Sequence, residues 1–299
     1  MMEPYNYLRQ ARASLRDGFC KKNRKSHPSD VIVCERAMEA AVRAPKFIIP
    51  DGGRVFSDGL RGLPETLRLP YPEIVVEFSC HGSGLVEQVY GREATVAVPR
   101  RVVFAQEVGE WIHIHSFVGK SADLWDMQPW IAAITKSKDS VSEAAKVRVI
   151  DNEILGTNDI PDLAMVCVKT GTMANVFSED SWRDIAFVNL SDECNAVLEL
   201  IEALSCSNVG HEVLPGRKQN KSAQKRGALP FDEYRTLVVK TPSGSVSVAG
   251  SNGSRSESRE HLRRGHIRNH PTAGKVWVNS CVVNAGAAGK IIKDYKVAA

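Results

Sequence analysis

The chain of 299 residues is 43% hydrophobic and 25% charged, and its 39 Lys and Arg against 35 Asp and Glu leave a net charge of +4. This composition excludes a wholly disordered, collagen-like or disulfide-scaffold protein, and the length suits one large domain or two ordinary ones. No complete catalytic signature is present, so no catalytic residue is assigned. Whether the chain is an enzyme stays open, and a non-enzymatic function is favoured.

The first part of the chain is predicted to form two helices and a loop. One helix covers 4–17 and is closed by Gly18, because Gly suits the position that follows a helix. The second covers 31–44, where apolar residues recur at helical spacing until Pro45 ends the run. Residues 50–72 are rich in Gly and Pro, which predicts a long ordered loop.

The middle of the chain is predicted to be rich in strands, with Gly109 at a hairpin turn. Two helices interrupt them, one from Ser121 past Trp130 and one that begins after Ser191 as its cap. The predicted strands cover residues 74–78, 95–105, 110–118, 146–150, 163–169 and 185–190. Helices and strands without regular βαβ alternation indicate an α+β fold, with a mixed sheet and several helices in an acidic body over 1–210.

The last third of the chain is predicted to form a basic linker and a small β module. Residues 211–230 are basic and poor in apolar side chains, which predicts a mobile linker. The module covers 231–299, with a flexible Ser- and Gly-rich loop at 241–259. Its predicted strands are residues 231–240, 275–283 and 290–297.

Positive charge is concentrated in this last third. Residues 1–30 carry a charge of +4, residues 31–210 carry −10 and residues 211–299 carry +10. A basic region behind an acidic body is typical of a protein that binds a polyanion. The alternative interpretation is that the basic segment neutralises the acidic body of its own chain or of a second copy.

The densest group of charged and titratable side chains lies between Arg259 and Trp277. Arg side chains suit phosphate oxygens, His side chains can donate hydrogen bonds to them, and Trp offers a face on which a base stacks. Phosphate contacts carry little sequence information, so we expect little base preference. The predicted nucleic-acid-binding residues are Arg259, His261, Arg263, Arg264, His266, Arg268, Lys275 and Trp277.

Two chemical alternatives belong to the same stretch. His261 and His266 together with Arg would suit a metal-independent nuclease, with one imidazole as base and the other as acid. The spacing of His266 and His270 resembles that of zinc ligands, but the surrounding Arg side chains would repel a cation. No metal and no cofactor are predicted.

A second group of His side chains lies on a predicted strand. Trp111, His113 and His115 alternate with Ile112 and Ile114 and therefore share one face. Two imidazoles could hold a metal with a carboxylate such as Glu77, although a solvent-facing strand is the simpler interpretation.

The seven cysteines form no C-x-x-C pair, and no run of about 18 apolar residues occurs. Their odd number and apolar surroundings favour free thiols in a reducing compartment. The N-terminus lacks the apolar stretch of a signal peptide. We therefore predict a cytoplasmic protein without a membrane partner.

The C-terminal sequence resembles a module of uncharacterised tailed-phage proteins. The segments that carry the resemblance are LPFDEYR at 229–235, REHLRRGHIR at 259–268, GKVWVN at 274–279, VNAG at 283–286 and KDY at 293–295. The resemblance implies a phage origin, and hence the cytoplasm of a host cell, but no activity. We predict an accessory protein that binds nucleic acid through the C-terminal module. The alternative is a protein–protein interaction module, in a homo-oligomer or as an inhibitor of a host protein during host takeover.

Overall fold

The computed structural model describes most of the N-terminal two-fifths of the chain and shorter segments beyond it. The described residues are 6–56, 64, 66–80, 84–89, 92–121, 123–135, 164–169, 182–214, 217–226, 232–239, 261–263, 266–278 and 281–283. The predicted strands at 146–150 and 290–297 and the predicted loop at 241–259 lie outside these residues.

The structure is α+β, as predicted. Its helices are α1 (Tyr7–Ser14), α2 (Lys21–Asn23), α3 (Pro28–Arg43), α4 (Trp182–Leu204) and α5 (Arg217–Lys225), with a π-helical segment over Leu15–Cys20 and a 3-10 turn over Asp51–Gly53. Its strands are β1 (Lys46–Ile48), β2 (Glu73–Ser79), β3 (Gly84–Val89), β4 (Arg92–Ala97), β5 (Arg100–Val108), β6 (Trp111–Gly119), β7 (Trp125–Thr135), β8 (Ala164–Lys169), β9 (Val209–Leu214), β10 (Tyr234–Val239), β11 (His261–Arg263), β12 (His266–His270), β13 (Gly274–Val278) and β14 (Cys281–Val283).

Eight strands form one mixed sheet in the order β8-β7-β6-β5-β2-β1-β10-β9. The short strand β1 runs parallel to both of its neighbours, β2 and β10, and the other pairs are antiparallel. The remaining strands form the two-stranded pairs β3–β4, β11–β14 and β12–β13.

Helices cover both faces of the sheet, so the protein has two apolar cores. In β2 the side chains of Ile74, Val76 and Phe78 pack with α4, whereas Val75 packs with α1 and α3 on the other face. This alternation follows from the period of two in a strand, and it explains why β2 buries apolar side chains on both faces. Full burial of a side chain such as Phe78 stabilises the fold by roughly 1.5–3 kcal/mol.

The first helix does not end at Gly18, contrary to the prediction. The chain remains helical through the π-helical segment to Asn23, because Leu15, Phe19 and Cys20 continue the buried stripe of α1. The predicted second helix is confirmed as α3.

Two predictions for the middle of the chain are wrong. Residues 125–135 form β7 rather than a helix, because they pair with β6 and β8 on both sides. Residues 185–190 belong to the helix α4 rather than to a strand. The β-branched residues of that stretch suggested a strand, but the packing of α4 against the sheet outweighs this weak local preference.

The segment predicted as a basic linker contains regular structure. Residues 209–214 form the strand β9 and residues 217–225 form the helix α5. The next strand, β10, which we assigned to the C-terminal module, lies inside the main sheet between β1 and β9. None of the described helices combines the length and the apolarity that crossing a bilayer requires.

Gly53 allows the loop after β1 to approach the sheet and α4 closely. Its φ angle is +68°, and a Cβ atom there would lie 2.9 Å from Cε2 of Phe78 and 3.1 Å from Cβ of Ala196. We expect Gly53→Ala to lower the free energy of unfolding by about 2–4 kcal/mol, through backbone strain and overpacking. Urea unfolding measures the change. Gly18→Ala is the control, since a Cβ at Gly18 meets nothing within 4 Å, and it should leave stability unchanged or slightly raised.

Candidate polyanion-binding surface

The C-terminal basic stretch forms a β-hairpin. Strands β12 and β13 pair in an antiparallel register from His266 opposite Val278 to His270 opposite Gly274, where φ is +69°. The side chain of His270 closes the turn, because its Nδ1 accepts hydrogen bonds from the backbone N–H groups of Thr272 and Ala273 at 3.3 Å each. His270 therefore has a structural role in the turn.

Strands β11 and β14 continue the register of this hairpin. His261 lies opposite Val283 and Arg263 lies opposite Cys281, which are the partners that the register of β12 and β13 predicts when it is extended outward. Both pairs of strands thus obey one antiparallel alignment. Strands within 275–283 are predicted from the sequence, but those at 261–263 and 266–270 are not, since their polar residues lack the usual pattern of a strand.

The hairpin is docked on the end of α4 by polar contacts. The side chain of Asn208 makes two hydrogen bonds with the backbone of Trp277, accepting from its N–H and donating to its C=O, each at 2.7 Å. The backbone N–H of Ser207 donates to the carbonyl of Lys275 at 2.9 Å. Lys275 Nζ forms an ion pair with Glu202, at 2.8 and 3.1 Å from its two oxygens. These contacts fix the backbone of β13 at two successive inward-facing residues.

An aromatic contact adds to this docking. The rings of Phe56 and Trp277 lie 4.9 Å apart, centroid to centroid, with an angle of 32° between their planes. Phe56 follows the 3-10 turn, and its backbone N–H donates to Oε2 of the buried Glu199 at 2.9 Å. The neighbouring Val55 N–H donates to the same oxygen, and Arg54 pairs with the other at 3.1 Å. The pKa of Glu199 is raised above its ordinary value, because the effect of burial exceeds the opposing effect of these donors.

The predicted site residues are divided by the hairpin. Lys275 and Trp277 face the end of α4 and have partners within the chain. Arg268 lies opposite Val276, so its side chain is on the other face of the hairpin, where it is exposed to solvent. Of the remaining predicted residues, the structure gives strand positions for His261, Arg263 and His266, whereas Arg259 and Arg264 lie outside the described residues.

Helix α5 provides a second basic surface, in a segment for which the sequence predicts a mobile linker. It contains basic and uncharged residues and no acidic one, and Lys221, Lys225 and the following Arg226 are exposed. The signal that predicts it is this run of basic residues at helical spacing. The docked hairpin contacts the residues just before strand β9, and α5 begins just after β9. The strand therefore lies between the hairpin and α5. Its six residues span about 17 Å.

The His pair of β6 lies on one face of the sheet, as predicted. His115 packs on Phe104 with ring centroids 5.7 Å apart, and both His113 and His115 are half-buried. Burial lowers the pKa of His115 to about 4, with a smaller contribution from His113. Within the described part of the chain, no group of three or more His, Cys, Asp or Glu side chains is arranged to hold a metal ion.

Glu77 contacts the start of α1 and does not lie in the metal site that we considered. Its carboxylate accepts hydrogen bonds from the backbone N–H groups of Tyr7 at 3.0 Å and Leu8 at 2.8 Å, the first residues of α1, and from the hydroxyl of Tyr234 at 3.0 Å. These donors satisfy the two oxygens of a fully buried side chain, although burial outweighs them and raises the pKa of Glu77 to about 7. Lys46 has the complementary position at the end of α3, where its Nζ donates to two backbone carbonyls.

The hydrogen bonds of Glu77 and Lys46 anchor helices to the sheet, whereas the exposed cations of α5 and β12 are available to an anionic partner. Among the described residues, the exposed cations of α5 and the exposed Arg268 of β12 fit the predicted binding chemistry best. Comparison of the chain with protein-family models, with curated proteins and with solved structures finds no match.

Proposed function

We propose that the chain binds nucleic acid, on a surface formed by α5 and the outer side of the C-terminal hairpin, as an accessory protein of a tailed phage. The observation that carries the proposal is the exposed run of cations in α5, within a region of charge +10. The resemblance of the C-terminal sequence to phage proteins supports the biological setting.

The electrostatics of the described residues favour an external anion over neutralisation within the chain. Lys275 does pair internally with Glu202, which is the contact between basic segment and acidic body that the intramolecular interpretation requires. The Arg9–Asp232 pair is of another kind, since it joins a cation of the N-terminal segment to an acid of the basic region. Lys221, Lys225 and Arg268 are exposed instead, and exposed cations that contact phosphates release counterions. Binding should therefore weaken steeply as salt is raised.

We expect the double variant Lys221→Ala/Lys225→Ala to weaken binding by about tenfold or more at 50 mM salt, and to reduce the slope of log K against log [salt] by roughly 1–2. Arg268→Ala should reduce the slope by up to about 1. The measurement is a fluorescence anisotropy titration with labelled single-stranded and duplex oligonucleotides at several salt concentrations.

The matched control is Arg36→Ala/Arg43→Ala, which removes the same charge from exposed positions on α3. A binding surface at α5 requires this variant to bind almost as the wild type does. If both double variants lose affinity equally, the attraction is a property of net charge and the assignment to α5 is wrong. If the wild type binds neither form at 50 mM salt, the proposed function is wrong.

A second candidate function is pairing with another protein through β9. This strand is last in the order of the main sheet, and the described residues pair it along its length only with β10. Its Val213 is 44% exposed, and an edge strand with an exposed apolar side chain is a template for a further strand. We expect Val213→Lys to abolish any oligomer that light scattering detects in the wild type, and a persisting oligomer would exclude this edge.

A further inference from the structure

We infer that Phe56 and Trp277 form a stacking platform for the bases of single-stranded nucleic acid, an inference that rests on the proposed function and specifies its ligand. The two residues come from distant parts of the chain, one after β1 and one in β13. Their rings meet at 4.9 Å with an angle of 32° between the planes. Both side chains remain only partly buried.

The backbone of each aromatic residue is fixed by its own buried or half-buried anchor. Phe56 donates its N–H to Glu199, whose side chain is fully buried on α4. Trp277 is fixed by the two hydrogen bonds of Asn208, which follows α4. An aromatic surface held in place before binding loses little conformational entropy when a ligand stacks on it.

The exposure of this pair distinguishes it from the core aromatic residues. Trp125 and Trp130 are each 1% exposed and lie within the two cores. Phe56 packs against the edge of one core and contacts the ring of Trp277, and both side chains keep part of their surface exposed. Aromatic pairs that keep part of their faces in solvent suit planar ligands, and each nucleobase has such a face.

The charges beside the platform assign it a role that differs from that of α5. Arg54 is paired with Glu199 and Lys275 with Glu202, so the platform is electrically balanced. Its contribution to affinity should therefore be insensitive to salt, whereas that of α5 is salt-dependent. Duplex bases are stacked on one another and cannot reach the platform, so the contribution is limited to single strands.

The test compares variants of the two rings for binding to a labelled 12-nucleotide oligothymidine and to a 12-base-pair duplex. Stacking of one base contributes a factor of about 5 to 150 in affinity. We expect Phe56→Leu and Trp277→Leu each to weaken single-strand binding by about fivefold or more. Duplex binding should change by less than about twofold, and the salt slope should stay that of the wild type.

Two further variants serve as controls for the aromatic face and for the position of the ring. Trp277→Phe retains an aromatic face with little change in packing and should recover most of the single-strand affinity. Trp111→Leu alters a half-buried Trp on β6 and should leave both affinities unchanged. Thermal unfolding of each variant verifies that the fold is intact, and Phe56→Leu leaves the backbone contacts of the hairpin in place.

The outcomes separate this inference from the function on which it rests. Wild-type protein that binds neither oligonucleotide at low salt would contradict the proposed function itself. Wild-type protein that binds both, together with folded Phe56→Leu and Trp277→Leu variants that bind oligothymidine as the wild type does, would overturn the stacking platform alone. Equal losses for single strand and duplex would also overturn it, since they would report a general effect on the surface.

Discussion

Replacing Glu193 by Gln is expected to lower the free energy of unfolding by about 3–5 kcal/mol, because it leaves the Arg101 guanidinium buried without its counter-charge. The exposed fractions of the two side chains are 0% and 1%, and Arg101 Nε lies 3.5 Å from Glu193 Oε1. Ser116 donates a hydrogen bond to the same oxygen at 2.7 Å. The pair joins β5 to α4, so we expect the contact between sheet and helix to loosen first. Chemical denaturation at pH 7 measures the change.

A double variant tests whether the stability of this contact depends on the two charges or on the packing of the two side chains. In Arg101→Met/Glu193→Leu both charges are removed and apolar side chains fill the space, so most of the lost stability should return. Asp17→Asn, which breaks the fully exposed pair of Arg16 and Asp17, is the control and should have no measurable effect. A Glu193→Gln variant as stable as that control would show that the buried pair does not hold α4 on the sheet.

Glu77→Gln is expected to destabilise the protein and to change how its stability depends on pH. A Gln side chain keeps one oxygen that accepts from both Leu8 and Tyr234 but places an NH₂ group against the N–H of Tyr7, which costs roughly 1–3 kcal/mol. Burial raises the pKa of Glu77 to about 7, above its ordinary value of 4.5. Its contribution to stability is therefore full below pH 4.5 and is lost as the pH rises through 7.

The stability difference between wild type and Glu77→Gln should fall by about 3 kcal/mol between pH 4.5 and pH 8. His115 acts in the opposite direction: its pKa is lowered to about 4 from 6.5, so its contribution is present above pH 6.5 and is lost as the pH falls through 4. The two groups partly cancel between pH 4.5 and 6.5. Urea unfolding from pH 4 to 8 is the measurement, with Glu73→Gln on the same strand as the control.

A wild-type profile that runs parallel to that of Glu77→Gln would show that Glu77 does not hold its proton in the folded state. Replacing His115 by Gln should steepen the decline of stability with rising pH, because it removes the opposing contribution. The two variants thus identify each group by the sign of its effect.

The elements that sequence reasoning predicted correctly are those whose local signals agree with their packing. Helix α3 has Pro28 in its first turn and a buried stripe that ends before Pro45. The hairpin of β5 and β6 turns at Gly109, where φ is +62°. Helix α4 was predicted in its second half only, since it is buried along most of its length and its β-branched first half gives no helical stripe.

Only part of the candidate site was predicted. Charge can be counted in a sequence, whereas the docking of the hairpin on α4 cannot be seen in it. The basic character of 211–299 needs only a count of side chains. The partners of Lys275 and Trp277 lie about 70 and 220 residues earlier in the chain, and no periodicity links them. Glu77 did carry a signal, because it interrupts the apolar run of residues 74–78 with a carboxylate, and such a residue is a candidate for a buried anchor.

The place of β10 in the sheet determines when this protein can fold during its synthesis. Strand β1 pairs with β10 through Lys46 and Tyr234, Phe47 and Arg235, and Ile48 and Thr236. Until residue 239 has left the ribosome, one edge of β1 is open and, among the described strands, β9 has no neighbour in the sheet. The nascent chain therefore carries an apolar strand with one open edge while almost 190 further residues are made, and a contact of that span makes late folding slow. Chaperone demand should be greatest just before β10 emerges and should fall once it has inserted.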